Sequence, residues 1–110
     1  MNQILRVELT KGKVSKEPIP EEWKKQYLGS YGFGARMLYD EVPSWVGALD
    51  PENLLLFTTG PVTGTPVQTA GRHTVVCKSP LTGYFGDSSC GGYWGAELKK
   101  AGYDVLAISG

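Results

Sequence analysis

Apolar and polar positions alternate at the start of the chain. Ile4, Leu5, Val7 and Leu9 surround Arg6 and Glu8, the near-twofold period of a strand with one wet face. Thr10-Lys11-Gly12-Lys13 supplies a turn, and Val14 to Glu17 returns before Pro18 and Pro20 end the pairing, so a hairpin is predicted. The period then changes. Pro20-Glu21-Glu22 opens a helix that carries Trp23, Tyr27 and Leu28 at helical spacing and stops at Gly29. Ser30 is placed to cap a second helix bearing Phe33, Met37 and Leu38, which ends by Pro43. Gly32 and Gly34 weaken that helix by about 1 kcal/mol each, so they are expected where something comes close.

The second half of the chain reads as short strands and long loops. Leu54-Leu55-Leu56-Phe57 is a continuous apolar run of strand length, predicted to be buried on both faces. A loop rich in glycine, proline and threonine follows from Thr58 to Pro66. Arg72 to Lys78 reads as a strand, and Ser79-Pro80-Leu81-Thr82-Gly83 as a turn. Tyr84-Phe85 is a possible strand start. Asp87-Ser88-Ser89-Cys90-Gly91-Gly92 is read as the lead-in to a helix over Tyr93 to Ala101, ended by Gly102, before a last strand from Asp104 to Ser109. Hairpins, single strands and short helices without a regular βαβ rhythm define an α+β class with a mixed sheet.

Composition narrows the function. The 110 residues allow one small domain, and 41% hydrophobic against 20% charged residues argues against disorder. Fifteen glycines are about twice the usual ~7% share. They lack the three-residue period of collagen and cluster after residue 29, beside apolar runs. Eleven basic and eleven acidic residues balance, so no basic surface points to nucleic acid. No apolar run reaches the ~20 residues of a membrane-spanning helix. The N-terminus, from Met1 to Arg6, lacks the pattern of a secretory signal. Two cysteines, Cys77 and Cys90, make no disulfide framework, and a cytoplasmic setting is expected.

Two segments carry candidate chemistry. Small residues from Ser88 to Gly92 precede a predicted helix, whose first N–H groups lack internal partners and favour an anion such as phosphate. The bland alternative is a capped helix on a tight turn; the segment lacks the Lys-Ser/Thr ending of a P-loop. The Gly60–Gly71 loop delivers Arg72, whose guanidinium suits an oxyanion, against the alternative of an ordinary surface ion pair. Two such loops flanking one short strand favour a phosphorylated ligand. Gly32-Phe33-Gly34 is not followed by the third glycine of a dinucleotide fingerprint. His73 reads as a packed strand residue, Cys77 as a small buried hydrophobe, and the three tryptophans as core or interface anchors. Cys90, at a helix start, would be a reactive thiol or ligand. Neither cysteine has metal-site spacing, and no Ser-His-Asp or Cys-His set marks nucleophilic catalysis, so no catalytic residue is assigned.

An ordered set of motifs then stands out: Tyr27-Leu28-Gly29-Ser30-Tyr31-Gly32, Thr59-Gly60-Pro61-Val62-Thr63-Gly64-Thr65, Gly71-Arg72, Lys78-Ser79-Pro80-Leu81-Thr82-Gly83, and Gly91 through Asp104. Their order and spacing resemble the N-terminal part of the tungsten-containing aldehyde ferredoxin oxidoreductases, over essentially the whole chain. The resemblance implies aldehyde oxidation to carboxylic acid, with ferredoxin as electron acceptor, at a tungsten or molybdenum bis-pterin centre. It implies an N-terminal domain of β-sheets that forms a base for that centre, with two pseudo-twofold halves. Residues 1–110 match one half, a partial pterin-cofactor-binding domain. The family's pterin-phosphate arginine falls on Arg72. Its Asn-x-Gly segment falls on Ser89-Cys90-Gly91, where the asparagine helps hold a magnesium ion and the glycine touches cofactor. Ser89 replaces that asparagine, so its shorter side chain is expected beside magnesium or phosphate rather than as a direct ligand.

The iron–sulfur cysteines that the resemblance implies would lie beyond residue 110, since two cysteines cannot hold a four-cysteine cluster. Gly110, directly after a predicted strand, reads as a boundary inside a longer protein. The chain alone is therefore expected to lack catalysis. An apolar face is expected to be left for the rest of the enzyme or another copy to cover. The alternative is a non-catalytic binding or assembly module that pairs with separately encoded subunits.

Overall fold

The computed structural model describes residues 3–110; Met1 and Asn2, the first residues of the segment read as lacking a signal, lie outside them. Strands β1 (Gln3–Glu8) and β2 (Lys13–Pro18) form the predicted hairpin. Helices α1 (Glu21–Tyr27) and α2 (Tyr31–Glu41) follow. Then come β3 (Leu55–Thr59), β4 (His73–Lys78), β5 (Phe85–Cys90), α3 (Trp94–Lys100) and β6 (Val105–Ser109). The strands make one six-stranded mixed sheet in the order β2-β1-β6-β3-β4-β5, in which only β1 and β6 run parallel. The α+β class read from the sequence is the class observed.

Side chains alternate across a strand, and cross-strand partners share a face. One face therefore carries Ile4, Leu56, Thr58, Val76, Val105 and Ala107, all buried. Phe33, Met37 and Leu38 of α2 close over it, with Ile19, Leu54 and the half-buried Trp23 around them. Gly34 makes this contact possible. A Cβ there would lie 2.9 Å from Val76 Cγ2, inside any real carbon–carbon contact. Gly34→Ala is accordingly expected to destabilise the fold by about 1–3 kcal/mol, outweighing the ~1 kcal/mol gain in helix propensity. Urea denaturation checks this, and a stabilised variant would show that α2 is not held at this distance.

The other face is open, which corrects the expectation for the apolar run. Leu54 precedes the strand, Leu56 is fully buried, Phe57 is half-buried and Leu55 is 40% exposed. The reason is the layer count: α1 and α2 cover one side, and only the short α3 reaches the other, at one end. Leu5, Val7, Val75, Cys77, Leu106 and Ile108 share that outer side and are half-buried, so Cys77 is not the enclosed residue its strand suggested. This is the apolar face that the sequence reading expected to need a cover. Trp45 is 75% exposed and is no core anchor.

A second correction concerns Asp87–Cys90. These residues belong to β5, paired antiparallel to β4 from Phe85↔Lys78 to Cys90↔His73, and are not a helix lead-in. Small polar residues carry little strand propensity, so pairing with β4 decided their state. The helix begins at Trp94, after Gly91, Gly92 and Tyr93. No described helix is long and apolar enough to cross a membrane.

Candidate functional site

The pairing register brings the sequence motifs to one end of the sheet. β3 ends at Thr59, β4 starts beside it at His73, and β5 ends beside His73 at Cys90. The Ser30 N–H donates to the Thr59 carbonyl at 2.9 Å, which draws the Tyr27–Gly32 motif to the same end. The Thr59 N–H and Oγ1 both donate to the Asp104 carbonyl, at 2.9 and 2.8 Å, which adds the start of β6. The Lys78–Gly83 motif goes elsewhere, forming the β4–β5 hairpin loop at the opposite end.

The loop from Gly60 to Arg72 is pinned by Thr63. Its hydroxyl accepts from the Gly60 N–H at 3.0 Å and donates to the Arg72 carbonyl at 3.3 Å, so one side chain ties the loop's start to its end. The sequence offered no signal for this role, because Thr63 stands among several loop threonines. Small residues then let the loop lie on α3: a Cβ on Gly95 would meet Thr63 Cγ2 at 3.2 Å. Gly71 and Gly92 touch backbone to backbone, since a Cβ on Gly71 would sit 2.9 Å from the Gly92 carbonyl oxygen. The two loops singled out in the sequence are thus one structure. Between them and α3 lies a cleft of about 270 Å³, lined by small residues including Gly64, Gly71, Gly92 and Ala96 together with Tyr93 and Lys100. Gly71→Val is expected to force the loops apart, because a carbonyl cannot swing away as a side chain can. Faster exchange of the Gly64 amide, which donates to the Ala70 carbonyl at 3.3 Å in the same loop, checks this; unchanged exchange would show that the loop is not displaced.

Arg72 stands exposed at the head of β4. Arg6 is paired with Glu17 and Glu41, at 2.7 and 2.6 Å, and these partners raise its pKa despite the burial that opposes it. Arg36 is held by the Tyr27 hydroxyl and Asp40, which raise its pKa in turn. Arg72 alone among the described arginines has no ion pair or side-chain hydrogen bond, so the surface-ion-pair alternative is not what the fold provides. Gly91 has open space around its Cα.

Ser89 lies on β5, exposed, opposite the buried Thr74. Its hydroxyl is 3.5 Å from Thr74 Oγ1, which is 3.1 Å from Ser30 Oγ. The expected cap at Ser30 is therefore not made: Ser30 holds the N-cap position of α2, but its hydroxyl points to Thr74. A capping hydroxyl is worth about 1 kcal/mol to its helix. Ser30 also has φ +54°, a left-handed backbone costing on the order of 1–3 kcal/mol in a residue other than glycine.

Cys90 ends β5, four residues before α3, with its thiol donating to the Gly91 carbonyl at 3.3 Å; the helix start placed beside it is not there. His73 is packed on the outer face between Phe57 and Trp94, 4.7 Å from the Trp94 ring centre, as read. Its Nδ1 is the one buried side-chain polar atom without a hydrogen bond among the described residues. The described residues hold no group of three or more His, Cys, Asp or Glu placed to bind a metal ion.

A mixed sheet with glycine-rich loops gathered at one end, around an unpaired arginine, defines the architectural class. Comparison with known proteins gives the family. Residues 4–110 match the model of the aldehyde ferredoxin oxidoreductase N-terminal domain, and the chain belongs to that family. It is 50% identical over 108 residues to a tungsten-containing aldehyde ferredoxin oxidoreductase of Pyrococcus abyssi, covering 98% of this chain and 18% of that protein. It is 36% identical, with the same coverage, to the WOR-like subunit of an aliphatic sulfonate oxidoreductase of Pyrococcus furiosus. Among solved structures it matches the active-site complex BamBC of benzoyl coenzyme A reductase, with a TM-score of 0.97 and 39% identity, over 99% of this chain and 17% of the other. The chain thus spans less than a fifth of the length of these relatives.

Proposed function

We propose that this chain is the pterin-phosphate-binding portion of an aldehyde:ferredoxin oxidoreductase with a tungsten or molybdenum bis-pterin centre. The observation that carries the reading is Arg72. It is an unpaired guanidinium at the head of a strand, beside two loops whose glycines leave backbone accessible. Relatives named for an aldehyde, an aliphatic sulfonate and a benzoyl coenzyme A all share this segment. A segment common to such different reactions serves a shared component better than any one substrate.

The residues present fit a phosphate group. Arg72 offers a forked pair of donors, Gly91 open backbone, and Ser89 an exposed hydroxyl beside a site that a magnesium ion would share. When bound, the cofactor would supply the two-electron redox chemistry at its metal. This chain's own residues position its phosphate and neutralise charge; they transfer no electrons and hold no iron–sulfur cluster. The half-buried apolar face would be covered by the rest of the enzyme or by another copy, and ferredoxin and aldehyde would meet other parts. The test is metal content: in an enzyme carrying this chain, Arg72→Ala should lower bound tungsten as measured by elemental analysis. Unchanged tungsten would overturn the reading.

A further inference from the structure

We infer that Thr74 is a positioning residue for Ser89, acting through a chain of three hydroxyls from Ser30 to Thr74 to Ser89; this rests on the phosphate-site reading above. Thr74 is buried, with 4% of its surface exposed, and its hydroxyl is the middle member, 3.1 Å from Ser30 Oγ and 3.5 Å from Ser89 Oγ. The strand placing Thr74 is itself fixed: the Thr58 hydroxyl donates to the Thr74 carbonyl at 3.1 Å.

The proton count allows a direction that frees the Ser89 proton. Each hydroxyl has one proton to donate and lone pairs to accept with. Ser30 Oγ has no partner but Thr74 among the described residues, since it leaves its own helix uncapped. Either hydroxyl can donate in each link; when Ser30 donates inward to Thr74, Thr74 is free to donate to Ser89. That leaves the Ser89 proton for an acceptor outside the fold, where a phosphate oxygen supplies one. Hydroxyls ordered this way polarise one another, so the outermost becomes a better donor than a lone serine. The outer link, at 3.5 Å, is long for two hydroxyls and closes when an anion draws Ser89 into line. The unusual features of Ser30, its left-handed backbone and its diverted hydroxyl, find a common reason here: both aim the hydroxyl at Thr74.

Titration of the 110-residue chain with inorganic phosphate in the presence of magnesium, followed by amide chemical shifts, tests the chain of hydroxyls. Thr74→Val keeps the side-chain shape and removes the hydroxyl. It should weaken phosphate binding about five- to tenfold, the effect of one lost hydrogen bond. Thr74→Ser should restore binding to within about twofold, and in a Ser89→Ala background Thr74→Val should cost nothing further. Ser30→Ala, which leaves the sheet interior intact, should give a smaller loss of about threefold that also vanishes without Ser89. Full-strength binding by both Thr74→Val and Ser30→Ala would overturn the proposal, as would losses that persist in the Ser89→Ala background. Failure of the unsubstituted chain to bind phosphate, or indifference to Ser89→Ala, would instead overturn the phosphate-site reading and the proposal with it.

Discussion

Replacing Arg72 by alanine should weaken retention of the pterin phosphate by about 10- to 100-fold, while leaving the fold as stable as before. The affinity term follows from chemistry. Hydrogen bonds to charged groups are worth about 1.5–3 kcal/mol, and a guanidinium meets a phosphate through two of them at once. The stability term follows from the structure. Arg72 is exposed and has no carboxylate partner among the described residues, so its removal strands nothing and should shift stability by less than ~0.5 kcal/mol. Arg72→Lys should recover only part of the loss, because an ammonium lacks the planar fork. Tungsten content per polypeptide and the thermal midpoint of the same preparations measure both terms. A variant that loses metal only as far as it unfolds would show that Arg72 is a structural residue.

Removing the Asp104 carboxylate should have the opposite signature, a large loss of stability. Lys99 Nζ donates to Asp104 Oδ1, and the two side chains are only 8% and 6% exposed. The pair joins the last turn of α3 to the start of β6. Asp104→Leu leaves the Lys99 ammonium buried without its carboxylate, which costs about 3–5 kcal/mol. For a domain of this size that lowers the melting temperature by at least about 12 °C. The backbone of residue 104, which accepts from Thr59 and donates to the Gln3 carbonyl at 2.9 Å, can stay in place, so the loss falls on the side chain and not on the sheet. Adding Lys99→Met should return much of the stability, since buried pairs replaced by apolar side chains are often neutral. A single substitution costing under about 1 kcal/mol would mean that water reaches the pair.

The open outer face bears on both experiments. Leu5, Val7, Phe57, Val75, Leu106 and Ile108 lie half-buried in one sheet surface. An apolar surface left uncovered invites association, so stability measurements on the chain should be made across protein concentrations.

Much of the secondary structure was legible in the sequence because its signals are local. Proline and acids mark the start of α1, glycine marks its end, and alternation marks β1. Arg72 was legible as a candidate for an oxyanion, but that it lacks an ion pair was not, since the sequence left a surface ion pair open and only the fold places no carboxylate beside it. β5 was not legible. Phe-Gly-Asp-Ser-Ser-Cys has weak strand propensity, and its conformation is imposed by hydrogen bonds from β4. Nothing in the sequence sets Lys99 apart from Lys100; only the turn back into β6 places Asp104 against it.

The sequence by itself determined the class and the family, because local periodicity gives the elements and the order and spacing of short motifs gives the family. The tertiary structure alone decided that β6 inserts between β1 and β3, one neighbour of it about a hundred residues away in the chain, with no local signal for that pairing. It alone decided that only one sheet face is covered. It alone set Ser30, Thr74 and Ser89 in a row, because hydroxyls from three segments meet only when the sheet register is complete.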